Sequence, residues 1–227
     1  RIRKLQERMG DLTGAIIFES TDLGYFSGTA QDGLIYIPRD GPAKLMIKKS
    51  LDRARQESPL SVMPQKSLKT LKEDLDLPAG AHIGLELDVL PYNNYSRLAG
   101  SLGEDVKFRD ISEGIKQIRS IKSDFELQLI RRAAGMLDAG IATVADHLNE
   151  GVREIDLAAE VESSMRRLGH PGRVSFRRFN HSLPMGHLMA GADAAYPSYV
   201  SSPTGGQGMS LFFAQGPGFA RIRRGEP

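Results

Sequence analysis

Apolar and polar positions follow two rhythms along this chain. From Gly33 to Pro38 and from Ala43 to Lys48 they alternate, and Arg39-Asp40-Gly41-Pro42 between them is turn chemistry, so the two runs predict a β-hairpin. Ala15 to Phe18 is a short unbroken apolar run and predicts a buried strand. Leu60–Met63, His82–Leu87 and Val106–Phe108 predict three more short strands. Helical spacing fills the gaps. Ile2, Leu5 and Met9 share one face over Arg1–Met9, and Leu68, Leu71 and Leu75 point inward over Ser67–Leu75. Further helices are predicted over Ser50–Glu57, Pro91–Leu102 and Ile111–Ile118. Ser20 or Thr21 can cap a helical turn that Gly28 ends. Strands alternating with helices predict a mixed sheet covered by helices.

The clearest element comes next. Ser123 and Glu126 form an S-x-x-E capping box, in which the serine oxygen takes a free N–H of the first turn and the glutamate reaches back to the cap. Downstream, Ile130, Ala133, Ala134, Leu137, Ile141, Val144, Ala145 and Leu148 recur at three- and four-residue steps. That stripe predicts a long core helix over Asp124–Leu148. A second helix is predicted over Glu154–Leu168, with Gly151 and Gly169 marking its limits. A domain boundary falls near Ile118–Lys122, giving domains 1–118 and 119–227. From Pro171 onward the chain is rich in Gly and Pro and predicts strands and loops.

Composition narrows the functional classes. The 227 residues are 40% hydrophobic and 26% charged, as in soluble globular proteins. A net charge of +2 is too small to argue for nucleic acid. Arg173, Arg177 and Arg178, interleaved with Phe176 and Phe179, could suggest such a ligand, but a strand with alternating faces explains the spacing more simply. No apolar run approaches the roughly 20 residues of a membrane span, and RIRKLQERM has no secretory core. There is no Cys, which excludes disulfides and thiolate chemistry and is compatible with a cytoplasmic setting. The expectation is therefore a protein without nucleic-acid or membrane partners.

Several motifs together are more specific than any alone. Arg119-x-Ile121-Lys122-Ser123, then Glu126-Leu127, then Ile130-Arg131-x-Ala133, resembles the opening of the C-terminal domain in the creatinase/prolidase/aminopeptidase P family of "pita-bread" metallohydrolases. Asn149-Glu150-Gly151 followed by Glu154-Ile155-Asp156-Leu157-Ala158 is similar to that family's next helix start, although Arg153 stands where Thr is the usual cap. Asp22-x-x-Tyr25-Phe26-x-Gly28 resembles the segment after the first strand of the family's N-terminal domain. The resemblance implies an α/β creatinase-type N-terminal domain over 1–118 and an incomplete α+β pita-bread domain over 119–227.

It also implies a dinuclear hydrolase acting on Xaa-Pro peptides or another amide-like substrate, with Mn, Co or Zn as the metal, working as a homodimer. Such a site needs several oxygen and nitrogen ligands around two ions about 3.5–4 Å apart. The family supplies two Asp, one His and two Glu. Between Pro171 and Pro227 the only carboxylates are Asp193 and Glu226, and the only histidines are His181 and His187. No catalytic residue and no metal ligand is therefore expected within these residues. Arg224-Gly225-Glu226-Pro227 resembles the turn before the family's first metal-binding Asp, which places the ligands beyond residue 227.

Substrate-side candidates remain. After Gly191-Ala192-Asp193-Ala194-Ala195, the family's substrate-binding His is replaced here by Ser198 or Tyr199. His187 could take its place, the plainer alternative being a hydrogen-bonded histidine with no such role. Glu150 and Glu154 read as helix-end charges. Ser202–Gly208 reads as a lid or a plain turn rather than a phosphate loop, since it lacks the Lys and following helix. Two other readings stay open: a metal-free pita-bread binding module or scaffold, and a non-peptidase C–N hydrolase or lyase on the same fold.

Overall fold

The computed structural model describes residues 1–178, 182–197 and 205–227, in two compact units. The first comprises Arg1–Ile121 together with Phe176–His181; the second comprises Lys122–Ser175 and Ser182–Pro227.

In the first unit the chain runs α1 (Ile2–Gln6), β1 (Gly14–Ile17), α2 (Ser20–Ser27), β2 (Gly33–Pro38), β3 (Lys44–Ile47), α3 (Leu51–Glu57), β4 (Val62–Pro64), α4 (Leu71–Asp74), β5 (His82–Leu85), α5 (Tyr92–Leu102), β6 (Lys107–Asp110) and α6 (Ser112–Ser120). The strands form one six-stranded sheet in the order β4-β3-β2-β1-β5-β6. β1, β2 and β3 form an antiparallel meander, while β4 on one side and β5 and β6 on the other run parallel to their neighbours. The hairpin and the mixed sheet expected from the sequence are both present.

Helices cover both faces, so the central strands are apolar on both sides. Ala15, Ile17, Ile35, Ile37, Leu45 and Ile47 face Leu5, Leu23, Phe26, Ile115 and Ile118 from α1, α2 and α6. The alternate residues Ile16, Leu34, Tyr36, Met46, Ile83 and Leu85 face Leu71, Leu98 and Leu102 from α4 and α5. Register fixes this division: Ala15 lies opposite Ile37 and Ile17 opposite Ile35, and a slip of one residue would exchange the two cores. Gly33 permits the tight β2–β3 approach, because a Cβ there would lie 2.1 Å from the Met46 carbonyl oxygen.

Local chemistry moved several boundaries. Helix α2 is capped by Glu19, not by Ser20 or Thr21: its carboxylate accepts from the Thr21 and Asp22 N–H groups at 2.8 and 2.9 Å. Gly28, in the left-handed region at φ +85°, ends that helix as expected. The helix expected over Ser67–Leu75 is a 3-10 turn at Leu68–Thr70 followed by the short α4. The fourth strand is Val62–Pro64 rather than Leu60–Met63, because it pairs with Leu45–Ile47.

The second unit opens with α7 (Asp124–His147) and α8 (Glu154–Arg167), followed by β7 (Arg173–Ser175) and β8 (Ser182–Pro184), an antiparallel pair. The capping box is present in both directions between Ser123 and Glu126. The two helices approach closely at Gly140, where a Cβ would sit 3.1 Å from the Met165 sulfur. The long apolar stripe, however, is not buried. Ile141 is 61% exposed and Leu137 56%, and Gly140 is the buried residue of α7. Periodicity correctly placed the residues on one face; α8 covers only its edge. The arginine run is corrected too: β7 ends at Ser175, so Arg177 and Arg178 follow the strand instead of alternating along it.

Candidate functional site

Helix α8 begins without a side-chain cap, since Arg153 at the cap position turns to Asp156 at 2.6 Å. The first-turn N–H groups are met from the glycine-rich segment instead. Glu154 N–H donates to the Ala220 carbonyl at 3.0 Å and Ile155 N–H to the Gly218 carbonyl at 3.1 Å. Glu154 itself is 1% exposed, and its carboxylate accepts from the Ala190 N–H at 2.7 Å and the Gly218 N–H at 2.9 Å. One buried side chain thus holds two distant backbone segments on the start of α8. Nothing in its neighbours marks Glu154 for this, and the sequence reading took it for a helix-end charge.

Close to the second of these segments, against Gly216, lies His187. Its ring lines a groove of about 360 Å³ with Leu137, Ile141, Val161, Met165 and Met189. Burial pushes the imidazole below its ordinary pKa, which favours the neutral form. Its Nε2 is buried without a hydrogen-bond partner among the described residues. Gly216, at φ +77°, lies against the ring; a Cβ there would be 3.1 Å from Cδ2. The Gly216 N–H donates to Gly205 at 2.7 Å and the Gly208 N–H to Gly216 at 3.2 Å, so backbone pairing arranges the glycines around the histidine. Chemically, the groove offers a largely apolar bed with two polar side chains in its wall, the neutral His187 ring and Glu162. Ser198 and Tyr199, the other expected substrate-side residues, lie outside the described residues, as do His181 and Ser202–Thr204.

Replacing Glu154 by alanine removes the acceptor of two buried N–H groups. The expected cost is about 2–4 kcal/mol, read as a lower midpoint in thermal unfolding. An unchanged midpoint would show that these segments are held by other contacts.

The two carboxylates between Pro171 and Pro227 both meet protein groups. Asp193 accepts from the Gln207 side chain at 2.8 Å, and Glu226 lies against Gly191. Among the described residues, one set of three metal-ligating side chains has neighbouring donor atoms, and it is in the first unit: Glu19, Asp22 and Glu86, within 4.8 Å of one another. It does not fit a divalent ion. Asp22 is fully buried and already held by two guanidinium groups, Arg119 and, at 2.5 Å, Arg177. Arg177 also donates to Asp88 at 2.6 Å.

Glu86 accepts from the Phe18 and Glu19 N–H groups at 2.8 and 3.1 Å through one oxygen. Burial, and then the neighbouring Asp22, push its carboxyl well above the usual range, and its second oxygen is buried with no hydrogen-bond partner among the described residues. At Asp88 burial opposes ionisation, but Arg177, Ser112 and Lys116 outweigh it and hold the carboxyl well below its usual range. The cluster is a buried network of acids held by guanidinium groups, in which Glu86 Oε1 and Arg177 Nη2 have no hydrogen-bond partner among the described residues. The sequence reading did not find it, because Asp22 and Arg177 are 155 residues apart.

Comparison with known proteins follows the same division. Residues 1–121 match the family described as Creatinase/Prolidase N-terminal domain. The chain is 29% identical over 174 residues to an Xaa-Pro dipeptidase of Pyrococcus furiosus, covering 74% of this chain and 49% of that protein. It is 26% identical over 219 residues to an uncharacterised peptidase of Methanocaldococcus jannaschii, covering 90% of this chain and 59% of that protein. Among solved structures, the prolidase of Pyrococcus furiosus superposes with a TM-score of 0.75 at 24% identity, covering 100% of this chain and 63% of that one. An X-Pro aminopeptidase of Thermotoga maritima superposes with a TM-score of 0.72 at 22% identity, covering 100% and 58%. At these identities the likeness establishes the fold, including the partial pita-bread region. The chain spans about half the length of the curated Xaa-Pro dipeptidases of Pyrococcus that it matches.

Proposed function

Because this chain belongs to the creatinase/prolidase family, we propose that it is part of a metal-dependent hydrolase acting on Xaa-Pro peptides or a closely related C–N bond. The observation that carries the reading is the 29% identity to an Xaa-Pro dipeptidase along 74% of this chain. The His187 groove supports it. An apolar bed lined by Leu137, Ile141, Met165 and Met189 suits a proline ring, and a neutral imidazole can make one hydrogen bond to a peptide group. The reading extends to a cytoplasmic homodimer. No helix among the described residues is long and apolar enough to cross a membrane.

The metal, Mn, Co or Zn on this reading, would activate water for attack on the peptide carbonyl. Its ligands are not to be sought among the residues described here, and this chain's own contribution is to bind and orient the substrate. Ser198 and Tyr199 stay within the proposal as neighbours of that substrate.

The test is hydrolysis of Xaa-Pro and Xaa-Ala dipeptides by the whole protein supplied with Mn. Xaa-Pro substrates are expected to be favoured at least about tenfold in kcat/KM. His187→Ala is expected to raise KM about tenfold with kcat little changed, the loss of one hydrogen bond. Absence of turnover with every Xaa-Pro substrate would overturn the peptidase reading.

A further inference from the structure

On the α4–α5 side of the first unit, a cavity of about 520 Å³ is lined by Lys48, Lys66, Lys69 and Arg97, with no carboxylate in its wall. Lys48 is tied to Asp32 at 3.0 Å. Lys66, Lys69 and Arg97 make no ion pair among the described residues. Elsewhere in the unit Lys44, Lys72, Arg53, Arg109 and Lys116 each have an acidic partner within 3.2 Å. Three unpaired cations around one concavity repel one another, and a bound anion relieves that.

The same cavity carries two features that an inorganic anion leaves unused. Phe18, Leu68 and the buried Leu98 give it an apolar wall. Gln65 contributes a side-chain oxygen that is buried and has no donor among the described residues. An anion cannot satisfy that acceptor; an N–H group can. The volume lies in the range of pockets for small organic ligands and exceeds the need of a lone phosphate.

We propose that this cavity binds a nucleotide bearing an exocyclic amino group. Its phosphates lie among Lys66, Lys69 and Arg97, its base lies against Phe18, Leu68 and Leu98, and its amino group donates to Gln65. The site is separate from the His187 groove and does not depend on the peptidase reading.

The test is calorimetric titration of the 227-residue chain with ADP, adenosine and inorganic pyrophosphate at low and high salt. ADP is expected to bind saturably, at least about tenfold tighter than either fragment, and to weaken as salt rises. The double variant Lys69→Glu/Arg97→Glu is expected to weaken ADP by about 30-fold or more. Lys4→Glu/Lys107→Glu, which changes net charge equally on exposed positions away from the cavity, is expected to leave it unchanged. Gln65→Leu is expected to weaken ADP while leaving pyrophosphate unaffected. Circular dichroism of each variant separates lost binding from lost folding. The proposal is overturned by absence of saturable ADP binding to the folded wild-type chain. Equal loss in both charge-reversed pairs, or pyrophosphate binding as tightly as ADP, would overturn it as well.

Discussion

Replacing Arg177 by alanine is expected to destabilise the first unit by about 3–5 kcal/mol, the loss typical when one partner is removed from a buried ion pair. The side chain is 9% exposed and bridges two carboxylates, Asp22 at 2.5 Å and Asp88 at 2.6 Å. Asp22 is wholly buried, so losing the guanidinium leaves a buried carboxylate short of one charged partner. Arg119 would remain, but one cation then faces a buried carboxylate that also sits against Glu86. At pH 7 the thermal midpoint of the 227-residue chain should fall by roughly 10 °C, given about 2–4 °C per kcal/mol at this size. Arg177→Lys should lie between, since an ammonium keeps the charge but cannot present the planar fork to two carboxylates at once. A loss under about 1 kcal/mol for the alanine variant would mean that Arg177 is held loosely and that Arg119 alone neutralises Asp22.

The contrast between this network and the rest of the fold shows which physical information is local. The β2–β3 hairpin, the apolar central strands and the Ser123/Glu126 capping box each depend on residues a few positions apart, and each was legible in the sequence. Family motifs extended that to the fold class, which the structure and the Creatinase/Prolidase match bear out. What was not legible depends on groups brought together from afar. Glu154 looked like any acidic residue in a first helical turn, yet its acceptors are claimed by Ala190 and Gly218. Arg177 looked like one position of an alternating strand, yet it ends in a carboxylate cluster. The α7 stripe is an intermediate case. A period of 3.6 says which residues share a face, not what covers that face, and here Ile141 and Leu137 stay exposed.

Glu86→Gln is expected to stabilise the protein at pH 8 and to be nearly neutral at pH 5. The native carboxyl is pushed well above its unfolded value of 4.5 by burial and by Asp22, so folding holds a proton there that the unfolded chain releases. The stability this group contributes is whole below pH 4.5 and is lost as pH rises through the folded-state value, at about 1.4 kcal/mol per pH unit. Glutamine has the shape of the protonated acid. Its oxygen can accept from the Phe18 and Glu19 N–H groups and its amide can donate to Asp22, with nothing to ionise. The gain should grow as pH rises from 5 to 8, measured as the difference in unfolding free energy between variant and wild type. Taking that difference removes the other titrations. Asp88, with its depressed pKa, contributes stability above its unfolded value and loses it only as pH falls into the acid range; His187 is common to both proteins. Equal differences at pH 5 and pH 8 would show that Glu86 ionises freely in the folded state. Burial and the neighbouring Asp22 would then not hold this carboxyl in its protonated form.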